Sequence, residues 1–282
     1  MTLEEERQLR LKAAKVRLDI LDEVYSAKSG HPGGSLSAAD VLTYLYEKEL
    51  NVDPSNPRWE DRDRFVLSKG HAAPALYAAL AEKGFFPVKD LTTLRRIGSY
   101  LQGHPNMRET PGVDMSTGSL GQGVSTACGM ALGLKYQKKN ARVYTLLGDG
   151  EIEEGEVWEA MMFASKYKLD NLCVMIDNNN LQIDGPIDQV MSSYPIDEKM
   201  KAFGLEVETI DGHDFGQIEA AMDRAKKTKG KAYCIILKTV KGKGVSVMEN
   251  QVGWHGKAPN EEQYKAARKE LEETLAKLEA EA

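Results

Sequence analysis

The chain has 282 residues, of which 41% are hydrophobic and 28% charged, a balance typical of globular domains and not of disordered, collagen-like or disulfide-rich chains. Its 43 acidic and 37 basic side chains give a formal net charge of −6, which argues against nucleic acid as the main partner. No stretch reaches the roughly 18 apolar residues of a membrane-spanning helix, so we expect no membrane partner.

The amino terminus and the cysteines predict a cytoplasmic location. The first six residues read Met-Thr-Leu-Glu-Glu-Glu and lack the basic region and apolar core of a secretory leader. The cysteines are odd in number and lie among apolar residues, as buried thiols do in a reducing compartment. They are Cys128, Cys173 and Cys234.

Two helices are predicted at the start of the chain. Apolar side chains recur at spacings of three and four over about residues 4–27, which predicts one amphipathic helix. A glycine-rich loop is expected at 29–35, and a second helix from residue 38 through 46.

Five short apolar runs then predict β-strands, most of them followed by a polar loop and a helix. They lie at 64–67, 142–147, 171–176, 205–210 and 232–237. Strands that alternate with helices indicate an α/β fold of three layers, with a mostly parallel sheet between two layers of helices. Ligands of such sheets bind beyond the carboxyl ends of the strands, where the glycine-rich segments fall.

The carboxyl end predicts a further helix from about residue 260. Asn260 precedes it as a cap, and apolar side chains recur along one face. These are Tyr264, Ala267, Leu271, Leu275 and Leu278. We expect this face to pack on the body of the chain rather than on another chain. Because there is no internal repeat and no linker, residues 1–282 are predicted to form one domain.

Several common catalytic motifs are absent from the sequence. There is no Gly-x4-Gly-Lys-Ser/Thr phosphate loop, no His-Glu-x-x-His zinc helix and no Gly-x-Ser-x-Gly elbow. The segment 118–123, Gly-Ser-Leu-Gly-Gln-Gly, does not fit the Gly-x-Gly-x-x-Gly dinucleotide fingerprint either.

After these exclusions, the polar segments that follow two predicted strands remain as candidates for a functional site. Asp149 follows one predicted strand and Asn179 follows the next, thirty residues later, a distance that accommodates a crossover helix. Their side chains, with a nearby backbone carbonyl, form an oxygen-only set suited to Mg²⁺ or Ca²⁺. Gly148 and Gly150 flank Asp149 and allow the backbone to approach a phosphate closely. Either segment alone reads as an ordinary turn, but the pair at this spacing favours a metal and phosphate site.

These segments resemble the thiamine-diphosphate motif, and the other landmarks resemble transketolase from about residue 10 to 260. The landmarks are Ser29-Gly30-His31-Pro32-Gly33, Ser68-Lys69-Gly70-His71, Gly103-His104-Pro105, Gly118-Ser119-Leu120-Gly121-Gln122-Gly123, Glu154-Gly155, Ile183-Asp184-Gly185 and His255-Gly256-Lys257-Ala258-Pro259.

The resemblance implies a role for each matching residue. Asp149, Asn179 and the carbonyl of Leu181 would hold the metal against the diphosphate. The residues that would contact the cofactor are His71, His255, Gly118, Leu120, Gly148 and Gly150. The residues implied in catalysis are His31 and His104, which would bind the sugar and move its protons, His255, and Glu154, which would link two active sites of a dimer.

The residues themselves support part of this hypothesis. Four of the five histidines lie in Gly/Pro-rich loops, which fits near-neutral hydrogen-bonding groups around a phosphorylated polyol. His213 is predicted instead to lie in a turn before a helix capped by Asp214. Lys241 and Lys243 could equally bind a phosphate or lie on a solvated loop. An apolar group on the helix that follows Glu154 is predicted to be core: Trp158, Met161, Met162 and Phe163.

Transketolases of the single-chain kind have three domains and more than twice this length, and a second domain binds the cofactor's pyrimidine ring. The resemblance therefore implies the amino-terminal subunit of a split transketolase. Its partner would be a carboxyl-terminal subunit, with two copies of each, α2β2. The enzyme would transfer a two-carbon ketol unit between phosphorylated sugars. Alternatives are a deoxyxylulose-phosphate synthase-like subunit, a 2-oxo-acid dehydrogenase α-like subunit, or a non-catalytic cofactor-binding subunit.

Overall fold

Five parallel strands form the centre of the computed structural model, which describes residues 1–281. They are β1 (Arg64–Leu67), β2 (Val143–Gly148), β3 (Leu172–Asn178), β4 (Glu206–Asp211) and β5 (Tyr233–Lys238). Their order is β1-β2-β3-β5-β4, and every neighbouring pair is parallel. Each strand lies within two residues of its predicted range, so the parallel sheet is confirmed. Ala282, the last residue of the predicted domain, lies outside the described residues.

The strands form because their side chains are mostly apolar and are covered on both faces of the sheet. All of β3 is buried, and so are the first five residues of β2. Successive side chains point to opposite faces. Tyr144 joins the apolar cluster on one face, and Val143 joins the cluster on the other. The three cysteines are buried free thiols, as predicted.

Helices cover both faces, which confirms the three layers. One face is covered by α1 (Leu3–Ala27), α2 (Pro32–Tyr44), α3 (Ala73–Lys83), α8 (Phe215–Lys227) and α9 (Glu261–Ala280). The other is covered by α4 (Gln122–Tyr136), α5 (Gly155–Lys166) and α7 (Ile196–Ala202), and α6 (Ile187–Val190) is a single short turn. Within residues 1–281 no helix is both long and apolar enough to cross a bilayer.

The second helix begins six residues earlier than predicted. The sequence predicts a loop through residue 35, whereas α2 begins at Pro32, directly after His31. Proline fits the first position of a helix because its φ is already helical and its missing N–H has no helical partner there. The helix continues as one π-helical turn, Leu45–Glu49. His31 therefore lies at the amino-terminal end of a buried helix rather than in an open loop.

The prediction that four residues of α5 belong to the core is wrong for Met162. Met161 is buried, but Met162 is 55% exposed, and Trp158 and Phe163 are half-buried. A helix that packs one face on a sheet directs consecutive side chains about 100° apart, so Met161 and Met162 do not share that face.

The carboxyl-terminal helix begins directly after Asn260. The side chain of Asn260 accepts the backbone N–H of Gln263 at 2.9 Å and caps the helix. The rings of Tyr264 and Tyr25 stack with centroids 3.8 Å apart, which joins α9 to α1. Three of the five residues on the predicted apolar face are buried and two are half-buried. The helix thus packs on the body of the chain, as expected.

Candidate functional site

Asp149 follows β2 at the carboxyl edge of the sheet, next to the end of β3. The two strands are neighbours, with Gly148 opposite Asp177. Asp149 Oδ2 accepts the backbone N–H of Asn180 at 2.6 Å, which ties the two strand ends together. Asp149 is 2% exposed, and burial together with the charge of Asp177 raises its pKa to about 6.

The side chain of Asn179 is held in one orientation by Asp177. Its Nδ2 donates to Asp177 Oδ2 at 3.2 Å, and its Oδ1 accepts the backbone N–H of Leu181 at 3.2 Å. Asp177 is fully buried and also accepts from Lys69 and Ser37. An amide whose nitrogen faces a carboxylate directs its oxygen the other way, here toward Leu181 and the cleft described below.

The carbonyl oxygen of Leu181 accepts the ammonium of Lys241 at 2.9 Å. Lys241 is 2% exposed, and its nitrogen also lies 2.8 Å from His255 Nδ1. Burial and the charge of Lys69 lower the pKa of Lys241 to about 8. Lys243 is half-buried and lies away from these groups. The sequence left phosphate binding and a solvated loop equally open for Lys241 and Lys243, and of the two only Lys241 lines the cleft.

These groups line a cleft of about 190 Å³. The oxygen donors are those of Asp149, Asn179 and Leu181, and the buried cations are Lys69 and Lys241. Hard oxygen donors suit a divalent cation, and buried ammonium groups beside them suit a phosphate. The lining also contains His71, Leu120, Gly148, Gly150 and His255.

Four histidines gather beside this cleft, and they are the four that the sequence placed in Gly/Pro-rich loops. The ring centroids of His31, His71 and His255 are 5.2 to 5.6 Å apart. The ring of His104 lies near that of His31, with centroids 6.5 Å apart. Segments that are up to 224 residues apart in the chain thus contribute one cluster.

All four imidazoles have lowered pKa values. Burial lowers the pKa of His31 to about 4 and that of His255 to about 3, and it lowers the pKa of His71 well below its usual range. Burial and the charge of Arg95 lower the pKa of His104. At neutral pH the cluster therefore offers neutral donors and acceptors rather than cations. His31 Nδ1 is buried and has no hydrogen-bond partner among residues 1–281.

The fifth histidine, His213, lies outside the cluster. Its Nδ1 lies 2.6 Å from Asp40 Oδ2, and its Nε2 accepts the backbone N–H of Val240 at 2.9 Å. The neighbouring Asp214 accepts the backbone N–H of Gln217 at 2.9 Å and caps α8. The turn and the cap predicted here are confirmed, and His213 joins its turn to α2 and to the segment after β5.

The remaining candidate residues lie at different distances from the cleft. Leu120 lines it and is 38% exposed. Gly118 lies against His104, because a Cβ at this position would come within 3.3 Å of the imidazole ring. Glu154 is exposed, directly before α5, and is not part of the cleft lining.

Three buried charged residues beside the cleft were not assigned a role from the sequence: Lys69, Asp177 and Glu151. Glu151 accepts the backbone N–H groups of Gly121 and Gly148, each at 3.0 Å, and so joins two loops of the site. Each of the three stands within two residues of a predicted site histidine, aspartate or asparagine. That proximity is the signal that could have identified them.

A comparison with protein families identifies the family to which this chain belongs. The family described as transketolase, thiamine diphosphate binding domain, matches residues 9–277. The chain belongs to this transketolase family. It is the amino-terminal, thiamine diphosphate-binding domain of a transketolase.

Two relatives match this transketolase domain over nearly their whole length. The 6-deoxy-6-sulfo-D-fructose transketolase subunit SqwG of Clostridium sp. strain MSTE9 is 47% identical over 269 residues, which cover 95% of this chain and 98% of the relative. An apulose-4-phosphate transketolase subunit of Phocaeicola vulgatus is 43% identical over 273 residues, which cover 97% of each.

A solved transketolase confirms the fold and shows how much of a single-chain transketolase this chain covers. The transketolase of Campylobacter jejuni superposes with a TM-score of 0.89 at 34% identity, over 99% of this chain and 46% of that one. The chain thus spans less than half of this single-chain transketolase and almost all of two proteins that are named as transketolase subunits.

Proposed function

We propose that this chain is the cofactor-binding subunit of a two-subunit transketolase, which transfers a two-carbon ketol unit from a ketose phosphate to an aldose phosphate. The observation that carries the proposal is the proximity of two sets of groups at one edge of the sheet. The oxygen donors of Asp149 and Asn179 lie in the cleft, and four neutral histidines lie beside it. A site for a metal and diphosphate next to hydrogen-bonding groups for a sugar is what ketol transfer requires.

The metal would be Mg²⁺ or Ca²⁺, held by Asp149, Asn179 and the carbonyl oxygen of Leu181. All three line the cleft, and their donor atoms are oxygens, which hard divalent cations prefer. The orientation that Asp177 gives to Asn179 supports this assignment, since it turns the amide oxygen away from the buried carboxylate. With a single carboxylate in the set, phosphate oxygens and water would complete the coordination.

The diphosphate would lie against Lys241, His71 and His255. The ammonium of Lys241 is buried and already donates into the cleft, so its charge is available to phosphate oxygens at little further desolvation cost. Gly148 and Gly150 would allow close approach of the backbone, while Gly118 and Leu120 would line the rest of the cofactor. Thiamine diphosphate supplies the carbon nucleophile for ketol transfer when it is bound.

The sugar would bind at His31 and His104, which do not line the cleft but belong to the histidine cluster beside it. His31 Nδ1 is buried without a partner among residues 1–281, a costly arrangement that a substrate hydroxyl would relieve. Because both imidazoles are neutral at pH 7, each can donate to one hydroxyl oxygen or accept from one hydroxyl proton. They would orient the sugar and move its hydroxyl protons, and His255 would take part from the cofactor side.

A carboxyl-terminal partner subunit would supply the pyrimidine-binding half of the site. The coverage of subunit-named relatives at 97% and 98%, against 46% of a single-chain transketolase, supports this division. We further propose an α2β2 assembly in which the exposed Glu154 meets its counterpart in a second copy and links the two sites. The three buried free thiols support a cytoplasmic setting.

Calorimetry tests the cofactor site. We expect thiamine diphosphate with Mg²⁺ to bind the chain, or the chain with its partner, and binding to be strongly weakened in Asp149→Ala. Asp184→Ala is the matched control, because Asp184 is an exposed carboxylate that does not line the cleft. Equal affinity of the two variants would exclude Asp149 from the metal site.

A reconstitution assay tests the division of the active site. Ketol transfer from xylulose 5-phosphate should require both this chain and a second polypeptide that carries the pyrimidine-binding domain. Full activity of this chain alone would contradict the two-subunit proposal. If the chain binds the cofactor but no ketol transfer occurs with any second polypeptide tested, the non-catalytic alternative is favoured.

A further inference from the structure

The carboxylate of Asp40, in α2, binds two side chains that are far apart in the chain. Its Oδ1 accepts from Arg17 Nη1 at 3.0 Å, its Oδ2 accepts from Arg17 Nη2 at 2.5 Å, and Oδ2 also lies 2.6 Å from His213 Nδ1. Asp40 is 5% exposed. Burial alone would raise its pKa, but the charge of Arg17 and the hydrogen bond with His213 outweigh burial and hold this pKa at about 2. The carboxylate is therefore ionised at neutral pH and orients both partners.

His213 connects Asp40 to the backbone directly before Lys241. Its Nε2 accepts the backbone N–H of Val240 at 2.9 Å. A backbone N–H can only donate, so Nε2 is the unprotonated nitrogen, and Nδ1 carries the proton that it donates to Asp40. Asp40 thus fixes the tautomer of His213 that can accept from Val240.

Arg17 connects the same carboxylate to the backbone after Lys241. Its Nε donates to the carbonyl oxygen of Lys243 at 3.1 Å, while its two Nη atoms bind Asp40. Two hydrogen bonds to a carboxylate fix the plane of a guanidinium and so direct its Nε–H. One carboxylate therefore holds the main chain one residue before Lys241 and two residues after it.

The main chain makes a tight turn at Lys241. The N–H of Lys243 donates to the carbonyl oxygen of Val240 at 3.1 Å, and Gly242 has a φ of +80°, a left-handed conformation that favours glycine. The N–H of Gly242 donates to the carbonyl oxygen of Gly33 at 3.0 Å. The turn is thus bound directly to α2, the helix that also carries the buried carboxylate.

The position of this turn determines where the ammonium of Lys241 lies. The ammonium donates to the carbonyl oxygen of Leu181 at 2.9 Å and lies 2.8 Å from His255 Nδ1, and Lys241 is 2% exposed. A binding group must be held to within about 0.5 Å of its productive position. For a side chain as flexible as lysine, this requires a fixed backbone at its root.

We propose that Asp40 is a positioning residue for cofactor binding, which acts through His213 and Arg17 to place the ammonium of Lys241 against the diphosphate. None of Asp40, His213 and Arg17 lines the cleft, so they act through the backbone and not by contact with the cofactor. The inference rests on the proposed function, in which Lys241 binds the diphosphate, and deepens it by naming the residues that hold Lys241 in place.

Calorimetry of thiamine diphosphate at saturating Mg²⁺, in the two-subunit complex, measures the effect of Asp40→Asn. Asp63→Asn is the matched control, because Asp63 is also a buried carboxylate that joins distant segments. It accepts the backbone N–H of Asn51 at 2.9 Å and that of Arg142 at 2.7 Å. Asp63 directly precedes β1 and so lies at the edge of the sheet opposite to the cleft.

We expect Asp40→Asn to weaken thiamine diphosphate binding about tenfold, as the loss of a group that orients a ligand usually does. The loss should not exceed that of Lys241→Met, because a residue that acts through Lys241 cannot contribute more than Lys241 itself. Asp63→Asn should bind the cofactor as the wild type does, although both aspartate variants lower the free energy of unfolding in urea. An equal loss of affinity in Asp63→Asn would overturn the inference.

Two variants of the half-buried His213 test the same connection without removing a buried charge. The amide of glutamine reaches the position of Nε2 and can accept from Val240, whereas the shorter amide of asparagine reaches only the position of Nδ1. His213→Gln should therefore keep the cofactor affinity within about threefold of the wild type. His213→Asn should lose about as much affinity as Asp40→Asn.

A double-mutant cycle separates positioning of Lys241 from a general loss of structure. In the Lys241→Met background, Asp40→Asn should reduce the affinity by less than about twofold further, because the group to be positioned is gone. The same tenfold loss in both backgrounds would overturn the inference, since Asp40 would then affect the site without Lys241.

Failure of the proposed function gives a different result. Wild-type protein that does not bind thiamine diphosphate, or Lys241→Met that binds it as tightly as the wild type, would refute the proposed cofactor contacts and the inference with them. Weakened binding in Lys241→Met, together with normal binding in Asp40→Asn and His213→Asn, would leave the proposed function intact and overturn the inference alone.

Discussion

The ammonium of Lys241 donates to the carbonyl oxygen of Leu181 at 2.9 Å, so a buried cation lies against one of the proposed metal ligands. Two charges of the same sign are then expected in one cleft when the metal binds. The negative charge of the diphosphate would offset their repulsion, because its oxygens can bind both the metal and the ammonium. Lys241 is thus predicted to bind the diphosphate and not the metal.

Replacing Lys241 by methionine should weaken thiamine diphosphate binding about 10- to 100-fold, the usual effect of losing one hydrogen bond to a charged group. Lys243→Met is the matched control. It lies two residues away in the same Lys-Gly-Lys-Gly segment but is half-buried outside the cleft, with its nitrogen 3.9 Å from Glu249. Calorimetry at saturating Mg²⁺ measures both affinities. Equal affinities would show that the buried lysine does not contact the diphosphate.

Cofactor binding should weaken on acidification through Asp149. The pKa of this carboxyl is raised to about 6 by burial and by the charge of Asp177, and only the ionised form binds a metal well. At pH 5 about one molecule in ten carries the ionised form, so the affinity for Mg²⁺ and thiamine diphosphate should fall about tenfold from pH 7. Lys241, with a pKa of about 8, stays charged throughout this range.

The control for this pH dependence is Asp149→Asn. Any change in the cofactor affinity of this variant between pH 7 and pH 5 comes from protonation of the diphosphate or of other groups. The affinity of the wild type, measured by calorimetry, should therefore fall more steeply over this range. Identical slopes for the two proteins would mean that Asp149 does not titrate in this window.

The strands and the placement of Asp149 and Asn179 could be predicted because both follow from short-range patterns. An apolar run of six residues that ends in a polar loop identifies a buried strand, and parallel strands place their carboxyl ends at one edge. The four clustered histidines could be recognised because their loops are rich in glycine and proline. In these cases the types of the neighbouring residues were sufficient to predict the position.

The rest of the site depends on contacts between distant segments, which no local pattern reveals. Lysines are usually exposed, yet Lys69 is 1% exposed and pairs with Asp177, which lies 108 residues later in the chain. Arg95 lies in a loop without a motif and meets Ser29 only because the two loops fold together beside α2. The early start of this helix at Pro32 was missed because glycines follow the proline and suggest a loop.

Breaking the buried ion pair of Lys69 and Asp177 by removing one charge should strongly destabilise the folded chain. Burial would raise the pKa of Asp177, but the charge of Lys69 and several donated hydrogen bonds outweigh it and hold this pKa below its usual range. Asp177→Asn leaves the ammonium buried without its counterion and should lower the free energy of unfolding by about 3–5 kcal/mol. Urea denaturation measures the change.

The double variant Lys69→Met/Asp177→Asn provides the control for this pair. It removes both charges, so it should be more stable than Asp177→Asn alone despite carrying one more substitution. If the losses of unfolding free energy caused by Lys69→Met and by Asp177→Asn simply add in the double variant, the two charges do not stabilise each other.

Glu23 should destabilise the folded chain increasingly as the pH rises. It is fully buried in α1, neither carboxyl oxygen has a hydrogen-bond partner among residues 1–281, and burial with the charges of Asp19 and Asp22 raises its pKa well above its ordinary value. The unfolded carboxyl ionises above about pH 4.3, whereas the folded one keeps its proton to a higher pH because its pKa is raised. The folded state then binds more protons than the unfolded state, so the free energy of unfolding falls with rising pH by about 1.4 kcal/mol per unit.

Glu23→Met removes this group and should stabilise the chain, with an advantage over the wild type that grows as the pH rises from 5 to 7. Glu23→Gln separates the two causes. It abolishes the titration but keeps an unpartnered polar group in the core, so its free energy of unfolding should lie below that of Glu23→Met by a constant amount of about 1–3 kcal/mol. Urea denaturation at the two pH values measures all three proteins. A gap between wild type and Glu23→Met that does not change with pH would mean that the carboxyl of Glu23 is ionised in the fold.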